Sequence, residues 1–416
     1  MEKNKNMIQR IKFAYKQENL PNARAGHRYL AQLPVDYLPS SSPTVDYRLI
    51  GLEDTGLHFS YETNQIVGIP KSSGSYEMQF NIREYSESGI EEFSTRTLKL
   101  IVEDDYNFLP EDPDANTPYR KRDEDTYAIS VNQNSKTRLK KDMAAASKRG
   151  NQQIEEGKIR EDDFYMQYDT DTRWYVLAVA DGSGKAKYSR KGSKIACRSV
   201  VESCLERLTA QSRTLKGLTI RYTKKKSDKM RQEIVGRLHE IIASSVIDAY
   251  EGIVAEAKKF EHRPPKDYAT TLLMCICKKF EFGWLIGAFG AGDGAVCVYD
   301  EDNWYANLLS GGESQLKKCF LTTPGLLQSS ELERRIRFTI VDDFSALFLM
   351  TNGVSNPRFR DEDDLPSFEL WNKLWNDICL EVNFSGKIKD VSEKLLKWLG
   401  FWTSGKHDDR TVAIVF

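Results

Sequence analysis

The chain has 416 residues, with 60 basic and 61 acidic side chains and 40% apolar residues. Its length predicts two or three domains, at ~150 residues per domain. The near-zero net charge argues against a partner that is nucleic acid or an anionic membrane, because both need a basic surface. No apolar run approaches the ~18 residues of a membrane span, and the N-terminus lacks the apolar segment of a secretion signal. We therefore expect a cytoplasmic protein.

Cysteine and histidine are placed unfavourably for a zinc site or for disulfides. All seven cysteines lie between Cys197 and Cys379, and the only close pair, Cys275 and Cys277, is inside an apolar run. An odd number of cysteines without paired spacing predicts reduced, buried thiols. The five histidines are scattered, so we expect any metal to be held by carboxylates.

An acidic stretch with three prolines, residues 103–126, divides the sequence in two. Before it, short segments of alternating polar and apolar residues, such as residues 76–82, are separated by turn residues, which predicts a small all-β sandwich. The predicted organisation is an N-terminal segment (1–24), the sandwich (25–105), a linker (106–139) and a larger domain (140–416).

After the linker, helical and strand patterns are mixed. Residues 193–208 and 230–258 carry apolar residues at helical spacing. Seven apolar runs predict buried strands: residues 174–180, 271–277, 282–289, 295–299, 337–341, 346–350 and 411–416. Many of these strands are consecutive, which indicates an α+β layered domain instead of an alternating βαβ sheet. The basic run at residues 221–226 is interpreted as a solvated loop, because acidic residues follow it closely.

Acidic residues stand where several of these strands begin or end. Asp181 and Gly182 follow one strand, residues 161–163 precede another, and Asp408 and Asp409 precede the last. A strand end fixes a side chain, and a glycine lets backbone carbonyls approach a ligand closely. Taken alone, each aspartate is better explained as a turn residue. Taken together, they indicate a carboxylate-lined site for Mg²⁺ or Mn²⁺.

Six motifs resemble, in their order, those of metal-dependent protein phosphatases of the 2C type. They are residues 181–184 (DGSG), 188–193 (YSRKGS), 267–272 (DYATTL), 292–294 (GDG), 351–355 (TNGVS) and 407–411 (HDDRT). The sequence is most similar to the bacterial subfamily associated with tellurite-resistance and stress clusters. This resemblance implies an α-β-β-α sandwich that hydrolyses phosphoserine or phosphothreonine. It also implies a phosphoprotein substrate, an opposing Ser/Thr kinase and a von Willebrand A-domain protein as partners.

The resemblance further implies two ions of Mg²⁺ or Mn²⁺ that activate a water molecule. By position, Asp181 would bridge both ions, Glu161 and the carbonyl of Gly182 would complete one site, and Asp408 would belong to the other. Asp267 is a candidate for a third, more weakly held ion. The expected catalytic residues are Glu161, Asp181 and Asp408. Asp293 is interpreted as a structural turn residue.

Three positions depart from the family pattern. Asn352 stands where the family has an aspartate ligand, and the lost negative charge should weaken metal binding. Ser183 replaces a histidine that is a general acid in some relatives. Gly157 occupies the position of the phosphate-binding arginine, which leaves three candidates for that role: Lys158, Arg160 and Arg190. Asn352 leaves two hypotheses open, an active phosphatase or a pseudophosphatase that is kept as a phosphoprotein-binding or scaffold subunit.

Residues 56–76 resemble immunoglobulin-like domains of bacterial surface and multidomain proteins. Asn64, Gly68 and Gly74 suit turn conformations there. No acid–base or nucleophile pattern appears in this part, so we expect a docking or positioning role, with a passive appendage as the alternative.

Overall fold

The computed structural model describes residues 20, 22–33, 45–85, 91–103, 119, 121–131, 141–310, 319–359, 364–401 and 408–416. The chain divides into two compact units, residues 1–109 with 402–405, and residues 110–401 with 406–416. The predicted N-terminal segment and linker lie largely outside the described residues. Among the helices that the structure describes, none is long and apolar enough to cross a membrane.

The described part of the first unit is all β. Its strands are β1 (Ala23–Arg24), β2 (Tyr29–Gln32), β3 (Val45–Ile50), β4 (Leu57–Ser60), β5 (Gln65–Gly68), β6 (Gly74–Tyr85) and β7 (Glu91–Glu103). They form a sheet in the order β1-β7-β6-β3 and a second sheet in the order β2-β5-β4. Ile66, Met78 and Leu100 are fully buried in one apolar cluster, to which both sheets contribute side chains. The predicted all-β unit is confirmed for these residues, and Asn64 has the positive φ, 55°, expected of its turn.

The second unit contains two antiparallel sheets. Its strands are β8 (Glu124–Ile129), β9 (Met143–Lys148), β10 (Asp163–Tyr168), β11 (Tyr175–Ala180), β12 (Leu272–Phe280), β13 (Gly283–Ala291), β14 (Ala295–Asp300), β15 (Tyr305–Ser310), β16 (Ile336–Val341), β17 (Ala346–Met350) and β18 (Arg410–Val415). One sheet has the order β10-β11-β12-β13-β16, and the other has the order β15-β14-β17-β18-β9-β8. The seven predicted strands are all present, as β11 to β14 and β16 to β18.

Helices cover the outer faces of these sheets. They are α1 (Asn151–Glu155), α2 (Ser189–Ala210), α3 (Ser212–Lys224), α4 (Asp228–Lys258), α5 (Ser329–Arg335), α6 (Asn352–Arg358), α7 (Phe368–Glu381) and α8 (Ile388–Trp398), with a short 3-10 helix at Pro265–Tyr268. The two predicted helices are confirmed as α2 and α4. Residues 221–224 of the basic run, which was predicted as a loop, form the end of α3, because Leu215 and Leu218 are buried and hold that helix on the core. Residues 225–226 follow the helix.

Side-chain alternation along the strands gives four layers. On β11, Val176 packs with the core of α2 and α4, whereas Leu177 faces the second sheet. On β17, Leu347 faces the first sheet, whereas Phe348 packs on Trp371 of α7 with ring centroids 5.5 Å apart. Adjacent residues are thus buried on opposite faces of each sheet. The predicted α-β-β-α sandwich is confirmed.

Residues 124–129 differ from the prediction, which placed them in the linker. They form β8, the edge strand of the six-stranded sheet, paired with β9 from Glu124 opposite Lys148 to Ile129 opposite Met143. Glu124, Asp125 and Tyr127 are exposed. An edge strand with exposed polar side chains has no apolar run, which is why the sequence pattern did not indicate it.

The seven cysteines are free, as predicted, but two of them are not buried. Five are buried, Cys319 is half-buried and Cys379 is exposed. Burial raises the pKa of buried thiols such as Cys197 and Cys275 well above the usual range. The buried cysteines therefore remain protonated and unreactive.

Candidate active site

Most of the acidic residues of the motifs lie beside strand ends on one side of the two sheets. Asp163 on β10 lies opposite Ala180 on β11, so the start of one strand meets the end of the other. In the second sheet, Met350 at the end of β17 pairs with Ala295 at the start of β14 and with Val412 near the start of β18. The polar residues beside these strand ends are Glu161, Asp162, Asp181, Asp293, Asn352, Asp408 and Asp409. We call these seven residues the acidic cluster.

Negative charge accumulates in the acidic cluster. The pKa of Asp181 is raised well above its usual value, first by desolvation and then by the charges of Asp162, Asp408, Asp293 and Asp409. The pKa of Asp162 is raised by desolvation and then by Asp409 and Asp408. Like charges within a few ångströms disfavour one another's ionisation. Desolvation and the neighbouring charges therefore both disfavour ionisation of these carboxylates, and a bound cation would favour it.

Asp162 is a fully buried member of this cluster. The hydroxyls of Thr351 and Thr411 each donate a hydrogen bond to its Oδ2 at 2.7 Å. Its Oδ1 has no hydrogen-bond partner among the residues that the structure describes. A buried carboxylate oxygen without a donor is costly, so this atom fits contact with a ligand or ion.

Asp409 holds the backbone of the site. Its Oδ1 accepts from the backbone N–H of Gly150 at 2.7 Å, and its Oδ2 accepts from the N–H of Glu161 at 2.5 Å. Desolvation raises the pKa of Asp409 to about 7, although these two hydrogen bonds lower it. The segment before β18 is thereby fixed to the segment before β10.

Glu161 lies against the loop that follows β11. The hydroxyl of Ser189 donates to its Oε1 at 2.5 Å. Its Oε2 would lie 3.4 Å from a Cβ at residue 184, where the chain has glycine. Desolvation raises the pKa of Glu161, which is 5% exposed. Asp408, on the other side of the site, accepts at Oδ1 from the side-chain amide of Gln153 at 2.5 Å.

Asn352 is the first residue of α6. Its side-chain nitrogen donates to Asp293 Oδ2 at 3.3 Å, and its Oδ1 is buried without a hydrogen-bond partner in the described part of the chain. Gly353 must be glycine because a Cβ there would lie 1.9 Å from the carbonyl oxygen of Asp409. The sequence suggested that Asp293 is only a turn residue at a strand end. In the structure it also contacts Asn352, and its charge contributes to the raised pKa of Asp181.

Asp267, in contrast, is not joined to the acidic cluster. It lies in the 3-10 helix Pro265–Tyr268, where its backbone carbonyl accepts from the N–H of Tyr188 at 2.7 Å. Among the described interactions, none links its carboxylate to the other acids. Its role at a third ion stays a prediction.

The three candidates for phosphate binding separate clearly. Arg160 is 2% exposed, and its Nε donates to the carbonyl of Arg122 at 3.1 Å. Arg190 and Lys158 instead both lower the pKa of Glu161 through their charges. Lys158 also lies 2.5 Å from Glu156. Arg190 and Lys158 therefore act on Glu161, whereas the charge of Arg160 lowers the pKa of Asp409.

The chemistry of the cluster fits a hard divalent cation. All its donors are oxygens, several carry negative charge, and two buried oxygens, on Asp162 and Asn352, have no hydrogen-bond partner among the described residues. As the side chains lie, no three His, Cys, Asp or Glu residues in the described ranges are grouped so that they could hold one ion. Asn352 supplies an amide to the cluster and no carboxylate.

A family model described as protein phosphatase 2C matches residues 149–400, more than half of the chain. The chain belongs to the protein phosphatase 2C family. The resemblance that the six motifs indicated is thus confirmed at the level of the family, and five of the seven residues of the acidic cluster lie in those motifs.

Solved structures of phosphatases are similar to this chain at low sequence identity. A bacterial serine phosphatase is 11% identical, with 66% of this chain and 96% of that chain covered and a TM-score of 0.39. A serine/threonine phosphatase from Staphylococcus aureus is 12% identical, covering 66% and 93%, with a TM-score of 0.39. The catalytic domain of the phosphatase PstP, in complex with 2 manganese ions, is 14% identical, covering 66% and 96%, with a TM-score of 0.35. Among curated proteins, none matches the sequence.

Proposed function

We propose that the second unit is a protein phosphatase that hydrolyses phosphoserine or phosphothreonine and depends on Mg²⁺ or Mn²⁺. The observation that carries this proposal is the acidic cluster, in which desolvation and then four other aspartates raise the pKa of Asp181, in a chain of the phosphatase 2C family. When bound, two ions supply an activated water molecule and neutralise charge on the phosphoryl group.

The residues of this chain divide into ligands and supports. Glu161, Asp181, the Gly182 carbonyl, Asn352 and Asp408 would hold the ions, with Asp293 as an added ligand and Asp267 as the predicted ligand of a third ion. Ser189 and Gln153 orient two of these carboxylates through hydrogen bonds of 2.5 Å. Such bonds fix ligands before the ion arrives. Arg190 and Lys158 would bind the phosphoryl oxygens.

Asn352 favours a second candidate function. Its amide keeps one oxygen for an ion but adds no charge, and its nitrogen is bound to Asp293. A site weakened in this way would bind a phosphoprotein without hydrolysing it, as a pseudophosphatase or scaffold subunit. The other finer features stay predictions of the sequence: the immunoglobulin-like docking module, the tellurite-resistance subfamily, the kinase and von Willebrand A-domain partners, and the cytoplasmic location.

Hydrolysis of a phosphothreonine peptide with Mn²⁺, measured as phosphate release, tests the proposed function. Metal ions contribute several kcal/mol of transition-state stabilisation, so a chelator should lower the rate about a hundredfold or more. Adding Mn²⁺ back should restore the rate, which controls for unfolding by the chelator. A chain that binds the peptide but releases no phosphate would favour the pseudophosphatase, and one that neither binds nor hydrolyses it would exclude both functions.

Arg190→Ala should raise KM for the phosphopeptide about tenfold and change kcat little, because a charge-assisted contact to phosphate contributes ~1.5–3 kcal/mol of binding, part of which Lys158 would replace. Arg160→Ala is the matched variant, since Arg160 is buried and bound to the Arg122 carbonyl. It should lower the melting temperature and leave KM unchanged. Equal KM values for Arg190→Ala and the unsubstituted chain would remove Arg190 from the phosphate site.

A further inference from the structure

The peptide groups of Glu161 and Asp162 lie just before β10 and are held on both sides by charged groups. On the N–H side, Asp409 Oδ2 accepts from Glu161 at 2.5 Å and from Asp162 at 3.4 Å. On the carbonyl side, the ammonium of Lys121 donates to Glu161 at 3.4 Å and to Asp162 at 3.1 Å. An anion thus binds the donors of this segment, and a cation binds its acceptors.

The ammonium of Lys121 has two further polar partners. It lies 2.8 Å from Asp163 Oδ2 and 3.0 Å from the hydroxyl of Ser193, and the side chain of Lys121 is 9% exposed. Ser193 in turn donates to the carbonyl of Glu161 at 2.5 Å. Burying an ammonium is costly unless it is paired and hydrogen-bonded. The ammonium of Lys121 meets both conditions. Its partners lie in residues 161–163 and at Ser193 of α2.

The segment that carries Lys121 is anchored in the second unit. Tyr119 packs edge-on against Tyr188, with ring centroids 5.7 Å apart, and its hydroxyl donates to Glu256 at 3.3 Å. The strand β8 begins three residues after Lys121. This segment lies before the part of the chain that matches the phosphatase 2C family, residues 149–400, so the family match gives Lys121 no role.

We propose that Lys121 is a positioning residue of the active site. Its ammonium fixes the carbonyls of Glu161 and Asp162 while Asp409 fixes their N–H groups, and the two carboxylates are thereby aimed at the rest of the acidic cluster. The effect of this residue on hydrolysis rests on the proposed phosphatase function, but its effect on the backbone does not.

Lys141 offers a matched control at the opposite sheet edge. Its ammonium donates to the carbonyl of Phe344 at 2.5 Å and lies 3.4 Å from Asp343, with 15% of the side chain exposed. Lys141 lies just before the start of β9. The other end of β9, at Lys148, pairs with Arg410 beside the acidic cluster, so Lys141 lies at the end of the strand away from the cluster. Lys121→Met and Lys141→Met therefore both remove a buried ammonium that binds a carbonyl and an aspartate.

The test is amide hydrogen exchange over residues 158–164, combined with steady-state kinetics. In Lys121→Met we expect faster exchange at Glu161 and Asp162, and kcat lowered about 10-fold to 100-fold with KM nearly unchanged, as for small misplacements of catalytic groups. Lys121→Arg, which keeps the donors, should recover part of both. Lys141→Met should lose thermal stability but keep native exchange at these amides and native kcat.

Native exchange at Glu161 and Asp162 in Lys121→Met would overturn the proposal, as would an equal change in Lys141→Met. If the unsubstituted chain hydrolyses no phosphopeptide, the proposed function fails, and hydrogen exchange alone still decides whether Lys121 positions the acidic segment.

Discussion

Asp181→Asn should abolish phosphatase activity and, in the metal-free protein, raise the melting temperature. The pKa of Asp181 is raised by desolvation and by four neighbouring aspartates, so its ionised form opposes folding. The stability that this group contributes is present at acidic pH and is lost as the pH rises towards the raised pKa of the native state. Asparagine has nearly the same shape without the charge. We expect a gain of a few degrees at neutral pH.

Thermal unfolding in a chelator, at acidic and at neutral pH, measures this gain. The difference between Asp181→Asn and the unsubstituted chain should grow as the pH rises. Asp302→Asn is the control, because Asp302 is exposed and surface changes usually stay within ~0.5 kcal/mol. Phosphate release should fall about a thousandfold or more in the Asp181 variant if it loses a shared metal ligand. Equal stability of the variant and the parent would mean that the carboxylates of the cluster do not repel one another.

Asn352→Asp should raise phosphatase activity and lower the melting temperature of the metal-free protein, the opposite of the two effects expected for Asp181→Asn. A carboxylate beside Asp293 replaces a hydrogen-bond donor, so repulsion grows and the metal-free protein loses stability. The same charge strengthens the attraction for a divalent cation. We expect Mn²⁺ affinity and phosphopeptide hydrolysis to rise about tenfold to a hundredfold, the range seen when supporting groups of metal sites are changed.

Titration calorimetry with Mn²⁺ and phosphate release with a phosphothreonine peptide measure the two gains. Asn376→Asp, which adds the same charge at an exposed position of α7, is the control and should change neither. Hydrolysis by both the parent and Asn352→Asp would establish the enzyme, and hydrolysis by the variant alone would establish a pseudophosphatase. Unchanged Mn²⁺ affinity would place Asn352 outside the metal site.

The sequence predicted those parts of the fold that bury continuous apolar surface. β11 is a run in which Val176 and Leu177 are buried on opposite faces, and α4 carries buried residues at helical spacing. Both patterns are local, so they can be read from neighbouring residues. The edge strand β8 and the amphipathic end of α3 were missed because their exposed polar side chains obscured the regular spacing of apolar residues.

The site was predicted from acidic residues at strand ends and from the family motifs. Asp181, Asn352 and Asp408 stand in those motifs, Glu161 was carried over by position, and the structure places all four beside strand ends of the two sheets. The parts that were missed depend on contacts between distant segments. Asp409 binds N–H groups almost 250 residues earlier in the chain, and Lys121 binds carbonyls 40 residues later. No local spacing signals such contacts.

The position of β18 has a consequence for biosynthesis. This strand lies between β17 and β9, and it pairs with β9 across more than 260 residues of sequence, from Lys148 opposite Arg410 to Met143 opposite Val415. Pairs of strands this far apart in sequence form late in folding, because the entropy of closing the long intervening chain must be overcome first. Without β18, the second sheet lacks the strand between β17 and β9, and Asp162 lacks the hydrogen bond from Thr411. We therefore expect the acidic cluster, and the hydrolysis proposed for it, to be incomplete in a nascent chain that lacks this strand.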